Sequence, residues 1–187
     1  GSFYPILSAL EIPKPRPTKY IPAKITNVSL HSVSYSYGER LILHDVNLTL
    51  DRDNPTLISG VSGKGKSTLA NLISGLYPPK SGSILYYTNR KTHPFNSINY
   101  HANVGYVTQD IYLFKGTLRD NLVGGKLIDD STIWEILEKV SADEFVLNLG
   151  GLDSQSSEAG RSLSGGQRRR IGVARALLSK SDILIFD

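Results

Sequence analysis

From residue 32 the chain alternates apolar and polar positions. Val33, Tyr35 and Tyr37 fall on one side of an extended backbone, and Ser32, Ser34 and Ser36 on the other. Val46, Leu48 and Leu50 repeat the pattern. A period of two with one polar face predicts half-buried strands, here a small antiparallel sheet. The short apolar run at 56–59 predicts another strand. It leads into a glycine-rich loop and an apolar-periodic helix from about residue 66 to 76, stopped by Gly75 and the Pro78-Pro79 pair. Further strands are predicted at Ile84 to Tyr87 and Val104 to Val107. The stretch from Ser131 to Leu149 predicts two helices. Asp130 or Ser131 caps the first, and Ser141-x-x-Glu144 forms a capping box for the second, which Gly150 and Gly151 end. A last helix from about 165 to 179 precedes the strand DILIFD. Strand, loop, helix and strand in alternation imply an α/β sandwich with parallel strands.

Upstream the pattern changes. Residues 11–22 hold four prolines and several charges, so they read as an extended linker. The apolar residues from Phe3 to Ile12 fit the end of a preceding helix. The leading Gly1-Ser2 has the look of a scar left by removal of an expression tag, and the chain has no methionine. The expected division is therefore 1–24 as tag remnant and linker from an upstream domain, and 25–187 as one folded domain.

Composition narrows the picture only a little. Among 187 residues, 40% are hydrophobic and 20% charged, which is ordinary for a folded protein with a core. The net charge of +4 is a mild excess that suits a polyphosphate binder without requiring one. The absence of cysteine excludes disulfides and cysteine-ligated metal. No apolar run reaches the ~18–20 residues that cross a bilayer. His31, His44, His93 and His101 show no metal-binding spacing. The Arg168 to Arg170 run reads as the solvated face of a helix, so nucleic acid is not expected as a partner.

The run Gly60-Val-Ser-Gly-Lys-Gly-Lys66-Ser67 matches G-x-x-x-x-G-K-[ST] between a predicted strand and a predicted helix. Glycines let the backbone curl so that successive amides point inward at a phosphate. The helix amino terminus adds its partial positive charge. Lys66 has the reach for β- and γ-phosphates, and the Ser67 hydroxyl for Mg²⁺. Gly60, Ser62, Gly63, Lys64, Gly65, Lys66, Ser67 and Thr68 are the candidate nucleotide-contacting residues. Lys64 either adds affinity or points to solvent.

About a hundred residues on lies Leu163-Ser164-Gly165-Gly166-Gln167. A helix cap alone would explain Ser164 and the glycines, but not their order and distance behind a phosphate loop. The run from Glu158 to Leu178 resembles the signature segment of ABC exporters. Ile183 to Asp187 resembles the Walker B strand, an apolar strand that ends in a carboxylate near Mg²⁺. Gln109 in VGYVTQD is similar to the Q-loop glutamine, which ligates Mg²⁺ and senses the γ-phosphate. Tyr37 resembles the aromatic residue that stacks on adenine, with Tyr35 as its rival. Glu158 aligns with a glutamate thought to touch the membrane domain, or is a solvated loop acid. The stretch from Leu113 to Leu122 is similar to an exporter pattern that follows the Q-loop.

The resemblance covers about residues 25 to 187 and implies a P-loop NTPase core with a parallel sheet, a small antiparallel β subdomain and a helical subdomain at about 110–165. It implies ATP and Mg²⁺ as cofactors, with Lys66, Gln109, Asp187, Ser164 and Gly166 as catalytic residues and Ser67, Gln109 and Asp187 at the metal. It implies a head-to-tail dimer with a second ATP-binding domain, in which Ser164 and Gly166 of one copy cover the γ-phosphate held by the other. A transmembrane domain fused upstream, a place on the cytoplasmic face of a membrane and ATP-driven export complete the expectation. The family's catalytic glutamate and switch histidine lie beyond Asp187, so this chain by itself is expected to turn ATP over negligibly. The alternatives are a soluble ABC ATPase acting on ribosomes or DNA, and a regulatory module that binds nucleotide without hydrolysing it.

Overall fold

The computed structural model describes residues 24–88, 92–94, 104–155 and 163–187. The proline-rich segment, the apolar run at 3–12, His101 and Glu158 lie outside the described residues.

The amino-terminal half folds as an antiparallel sheet ordered β2-β1-β3-β4. These strands are β1 (Ile25–Tyr37), β2 (Arg40–Asp51), β3 (Ser81–Thr88) and β4 (Thr92–Pro94). The alternation sets the register, with Val28 opposite Leu50, Leu30 opposite Leu48, and Val33 opposite Val46. Between Leu30 and Val33 the pairing shifts by a bulge, and Ser32 there has φ 48°. Gly82 on β3 lies against this bulge, where a Cβ would come within 2.3 Å of the Ser32 carbonyl oxygen. Only glycine fits so close a backbone approach.

Helix α1 (Lys66–Ile73) packs Leu69, Leu72 and Ile73 onto Val28, Leu30, Val33, Ile84 and Tyr86. The buried Tyr86 hydroxyl donates to the Ile73 carbonyl at 3.2 Å and so fastens the end of α1 to β3. Val104, Ile183 and Ile185 close the rim of this first core. They belong to a separate parallel pair, β5 (Val104–Val107) and β6 (Ile183–Phe186).

A second core is helical. Helices α2 (Leu118–Val123), α3 (Asp130–Lys139) and α4 (Asp143–Asn148) gather Leu118, Leu122, Ile133, Leu137 and Val146 around Ile171, Ala174 and Leu178 of α5 (Gly165–Leu178). Helix α5 also packs along β5, so it carries the helical unit against the strand pair. Gly105 on β5 allows this, since a Cβ there would meet Leu184 Cδ2 at 2.8 Å and the Ala176 carbonyl oxygen at 3.3 Å.

Three local expectations are corrected. Residues 56–59 form no strand: they make no ladder pairing with a described strand, and Leu57 is 91% exposed. The α3 cap is Asp129, one residue earlier than Asp130 or Ser131, and its carboxylate accepts from the Thr132 amide at 2.9 Å. The Ser141-Glu144 capping box does not form. Ser141 has φ 54°, its carbonyl accepts from Arg170 at 2.9 Å, and α4 starts from Ala142 with no side-chain cap.

Truncating Ile171, fully buried at the centre of the helical core, is expected to destabilise the chain by about 2–5 kcal/mol. The measurement is the urea midpoint of Ile171→Ala against wild type.

Candidate functional site

The loop before α1 is built on glycines in conformations that side chains rarely adopt, with Gly63 at φ 78° and Gly65 at φ 87°. Gly65 caps α1 in the left-handed region, and a Cβ there would meet Ile42 Cγ2 and Leu43 Cδ2 at 2.9 Å. The loop thus rests on β2. No side chain caps α1 and no acid sits in its first turn. Its leading amides and partial positive charge are left for an external anion. Lys66 folds back over the loop, its Nζ donating to the carbonyls of Gly60 at 2.8 Å and Val61 at 2.9 Å. Gly60, Ser62, Gly63 and Lys64 are exposed, whereas Thr68 is turned into the core.

The acid of the site arrives from the far end of the chain. In the parallel register Val107 pairs with Phe186, and the Asp187 amide continues the ladder by donating to the Val107 carbonyl at 2.9 Å. This places the Asp187 carboxylate where the Ser67 hydroxyl donates to its Oδ1 at 3.1 Å, across 120 residues of sequence. The Tyr106 hydroxyl on β5 donates to its Oδ2 at 3.2 Å. Burial, then the charge and hydrogen bond of Asp187, push the Tyr106 pKa up to about 12, so the phenol remains a donor.

A hydroxyl and a single carboxylate beside a phosphate loop are hard oxygen donors that suit Mg²⁺, which keeps several waters and takes its remaining ligands from substrate phosphates. No cluster of three or more His, Cys, Asp or Glu occurs among the described residues, so a cage made wholly of protein is not what they offer.

The other candidates are distributed around this centre. Gln109 is exposed two residues beyond the end of β5, on the edge where Asp187 also emerges. Tyr37 ends β1 with 47% exposure, while Tyr35 is only 8% exposed and stacks on Tyr77 at 5.7 Å between ring centres. Tyr37 lies roughly perpendicular to both rings, at 5.1 and 6.1 Å between ring centres. Ser164 caps α5 in a reciprocal box, accepting from the Gln167 amide while Gln167 Oε1 accepts from the Ser164 amide. Among the described residues no hydrogen bond joins Ser164 or Gly166 to the phosphate loop of the same chain.

Three residues of this region escaped the sequence reading. Tyr106 gave no signal, since its partner lies 81 positions away. Asn121, 2% exposed, accepts from the Phe114 amide at 2.7 Å and donates to the carbonyls of Phe114 and Thr117 at 2.9 Å. Arg175 on α5 donates to the carbonyls of Asn121 at 2.7 Å and Tyr112 at 3.3 Å, with its guanidinium 5.7 Å from the Phe114 ring centre. Asn121 and Arg175 together fasten the segment after Gln109 to α2 and to the helix that Ser164 caps.

Comparison with known proteins gives consistent relatives. The family model described as ABC transporter matches residues 43–187. The chain is 38% identical over 168 residues to a probable ABC transporter ATP-binding/permease protein of Haemophilus influenzae, covering 87% of this chain and 30% of that protein. It is 34% identical over 169 residues to an ATP-dependent lipid A-core flippase of Syntrophus aciditrophicus, covering 89% and 28%. Among solved structures, a bacterial Atm1-family ABC exporter with ATP bound superposes with a TM-score of 0.81 at 28% identity, over 91% of this chain and 30% of that one. The chain thus spans less than a third of the length of these proteins.

Replacing Asn121 by Ala removes the three side-chain hydrogen bonds to the Phe114 and Thr117 backbone and is expected to destabilise by about 1–3 kcal/mol. Hydrogen exchange is expected to speed up at residues 112–117 well before it does in β1 and β3. Equal acceleration throughout would show that Asn121 acts on the fold as a whole.

Proposed function

The chain belongs to the ABC transporter family, and from that membership we propose that it is the ATP-binding and hydrolysing domain of an exporter. The observation that carries this reading is the 3.1 Å hydrogen bond between Ser67 and Asp187 beside a glycine loop at an uncapped helix start. Bound MgATP supplies a phosphoanhydride bond whose cleavage releases free energy, and the residues of this chain provide the grip on it.

Gly60, Ser62, Gly63, Lys64 and Gly65 present the loop backbone to the phosphates. Lys66 exchanges the Gly60 and Val61 carbonyls for β- and γ-phosphate oxygens, and Ser67 and Asp187 hold the metal with Gln109 as a third oxygen donor. Tyr37, about half exposed at the end of β1, stacks on the adenine. Thr68 contributes through its backbone, since its side chain belongs to the core.

Among the described residues, Ser164 and Gly166 have no hydrogen bond to the phosphate loop of their own chain, and they lie at the start of a 14-residue helix. That arrangement supports a head-to-tail pair in which they complete the site of a second copy or of a related domain. Relatives named as ATP-binding/permease proteins support a transmembrane domain fused in the parent, with this domain on the cytoplasmic face. No helix among the described residues is long and apolar enough to cross a membrane itself. Asp187 is the one described carboxylate bonded to the loop-and-helix start, and it is engaged by Ser67 and Tyr106.

A fluorescent ATP analogue titrated against the chain is expected to bind, and Lys66→Ala is expected to weaken it at least tenfold (on the scale of one lost charge-assisted contact). Equal affinity for both proteins would refute the loop as the binding site. Because the chain has no cysteine, Ser62→Cys and Ser164→Cys proteins can be mixed and oxidised. A cross-linked dimer that forms only with ATP supports the head-to-tail pair, and cross-linking indifferent to ATP contradicts it.

A further inference from the structure

We propose that Tyr106 is a positioning residue for the metal, its phenol holding the Asp187 carboxylate in the orientation that presents Oδ1 to Mg²⁺. The inference rests on the reading of this site as an MgATP site and adds to it a residue outside the loop and the acidic strand end.

A carboxylate on a short stem has a broad, two-fold terminal torsion, so a strand end fixes where the group sits but not how its plane lies. Asp187 has one hydrogen bond to each oxygen. Ser67 donates to Oδ1 at 3.1 Å and Tyr106 to Oδ2 at 3.2 Å. A metal that shares Ser67 with the carboxylate must approach on the Oδ1 side, because Ser67 is there. The Tyr106 bond occupies the opposite oxygen and so fixes the plane without competing for the metal.

The backbone makes this contact reproducible. Tyr106 is paired with Ile185 in the β5–β6 register, and Asp187 is two residues beyond Ile185. Side chains two apart along a strand share a face, so the phenol and the carboxylate are brought together by the ladder itself. The ring is partly buried. Phenylalanine would fill the same space and keep the register, but could not donate.

Hydrogen-bond partners of metal ligands typically contribute 10–100-fold to metal affinity. The test uses Mn²⁺ as the spin-active stand-in for Mg²⁺, titrated into the ATP-loaded 187-residue chain and followed by electron paramagnetic resonance. Tyr106→Phe is expected to weaken Mn²⁺ about tenfold, while ATP affinity in EDTA and the thermal midpoint stay at wild-type values. In an Asp187→Asn background the same substitution is expected to change Mn²⁺ affinity less than twofold, a result that a merely structural role of the ring would not produce. Unchanged or tighter Mn²⁺ binding by Tyr106→Phe overturns the inference and leaves the MgATP reading standing. If wild type shows no Mn²⁺ binding that depends on ATP, the MgATP reading fails and this inference with it.

Discussion

Parallel pairing of β5 with β6 determines where the chemistry can occur. Ladder pairing runs from Val104 opposite Ile183 to Val107 opposite Phe186, and the Asp187 amide adds one more bond to Val107. A one-residue slip would turn Asp187 to the other face and remove it from Ser67, because side chains alternate along a strand. Gly105 eases this pairing beneath α5, since a Cβ there would crowd the Leu184 side chain and sit tightly against the Ala176 carbonyl. The strand pair therefore depends on α5, and α5 depends on the helical core it completes.

Around that fixed acid the remaining parts divide by how firmly they are held. Helix α1 is anchored by Leu69, Leu72 and Ile73 in the first core, so Lys66 and Ser67 start from a rigid base. The glycine loop above it is exposed and held by Gly65 against β2 and by the two carbonyl bonds of Lys66. Phosphate oxygens would compete for the same ammonium, so loop shape and occupancy are linked through one side chain. The segment after Gln109 is tied to α5 by Arg175 and Asn121. Any movement of the Ser164 end of α5 thus has a direct mechanical connection to the residues that follow Gln109.

Much of this was readable in advance, and the failures have local causes. Alternation placed β1 and β2 because one face of each is buried, and the glycine loop and the Ser164 helix announced themselves by residue type. The strand expected at 56–59 needs partners that no composition reveals, and it pairs with none of the described strands. Asp129 outcompetes Asp130 and Ser131 as a cap because its carboxylate reaches both the amide and the hydroxyl of Thr132. Ser141 fails as a cap because the turn between α3 and α4 forces it into a left-handed conformation. Tyr106, Asn121 and Arg175 were invisible for a different reason. Their roles come from partners distant in sequence or from backbone carbonyls, neither of which leaves a pattern.

The most direct measurement is a crystal structure of the chain with Mg²⁺ and a non-hydrolysable ATP analogue. The account predicts phosphates enclosed by Gly60 to Lys66, the Lys66 ammonium moved from the Gly60 and Val61 carbonyls onto them, and a metal about 2.0–2.1 Å from Ser67 Oγ facing Asp187 Oδ1. Nucleotide density away from the loop, or a metal bound without Ser67 and Asp187, would contradict it.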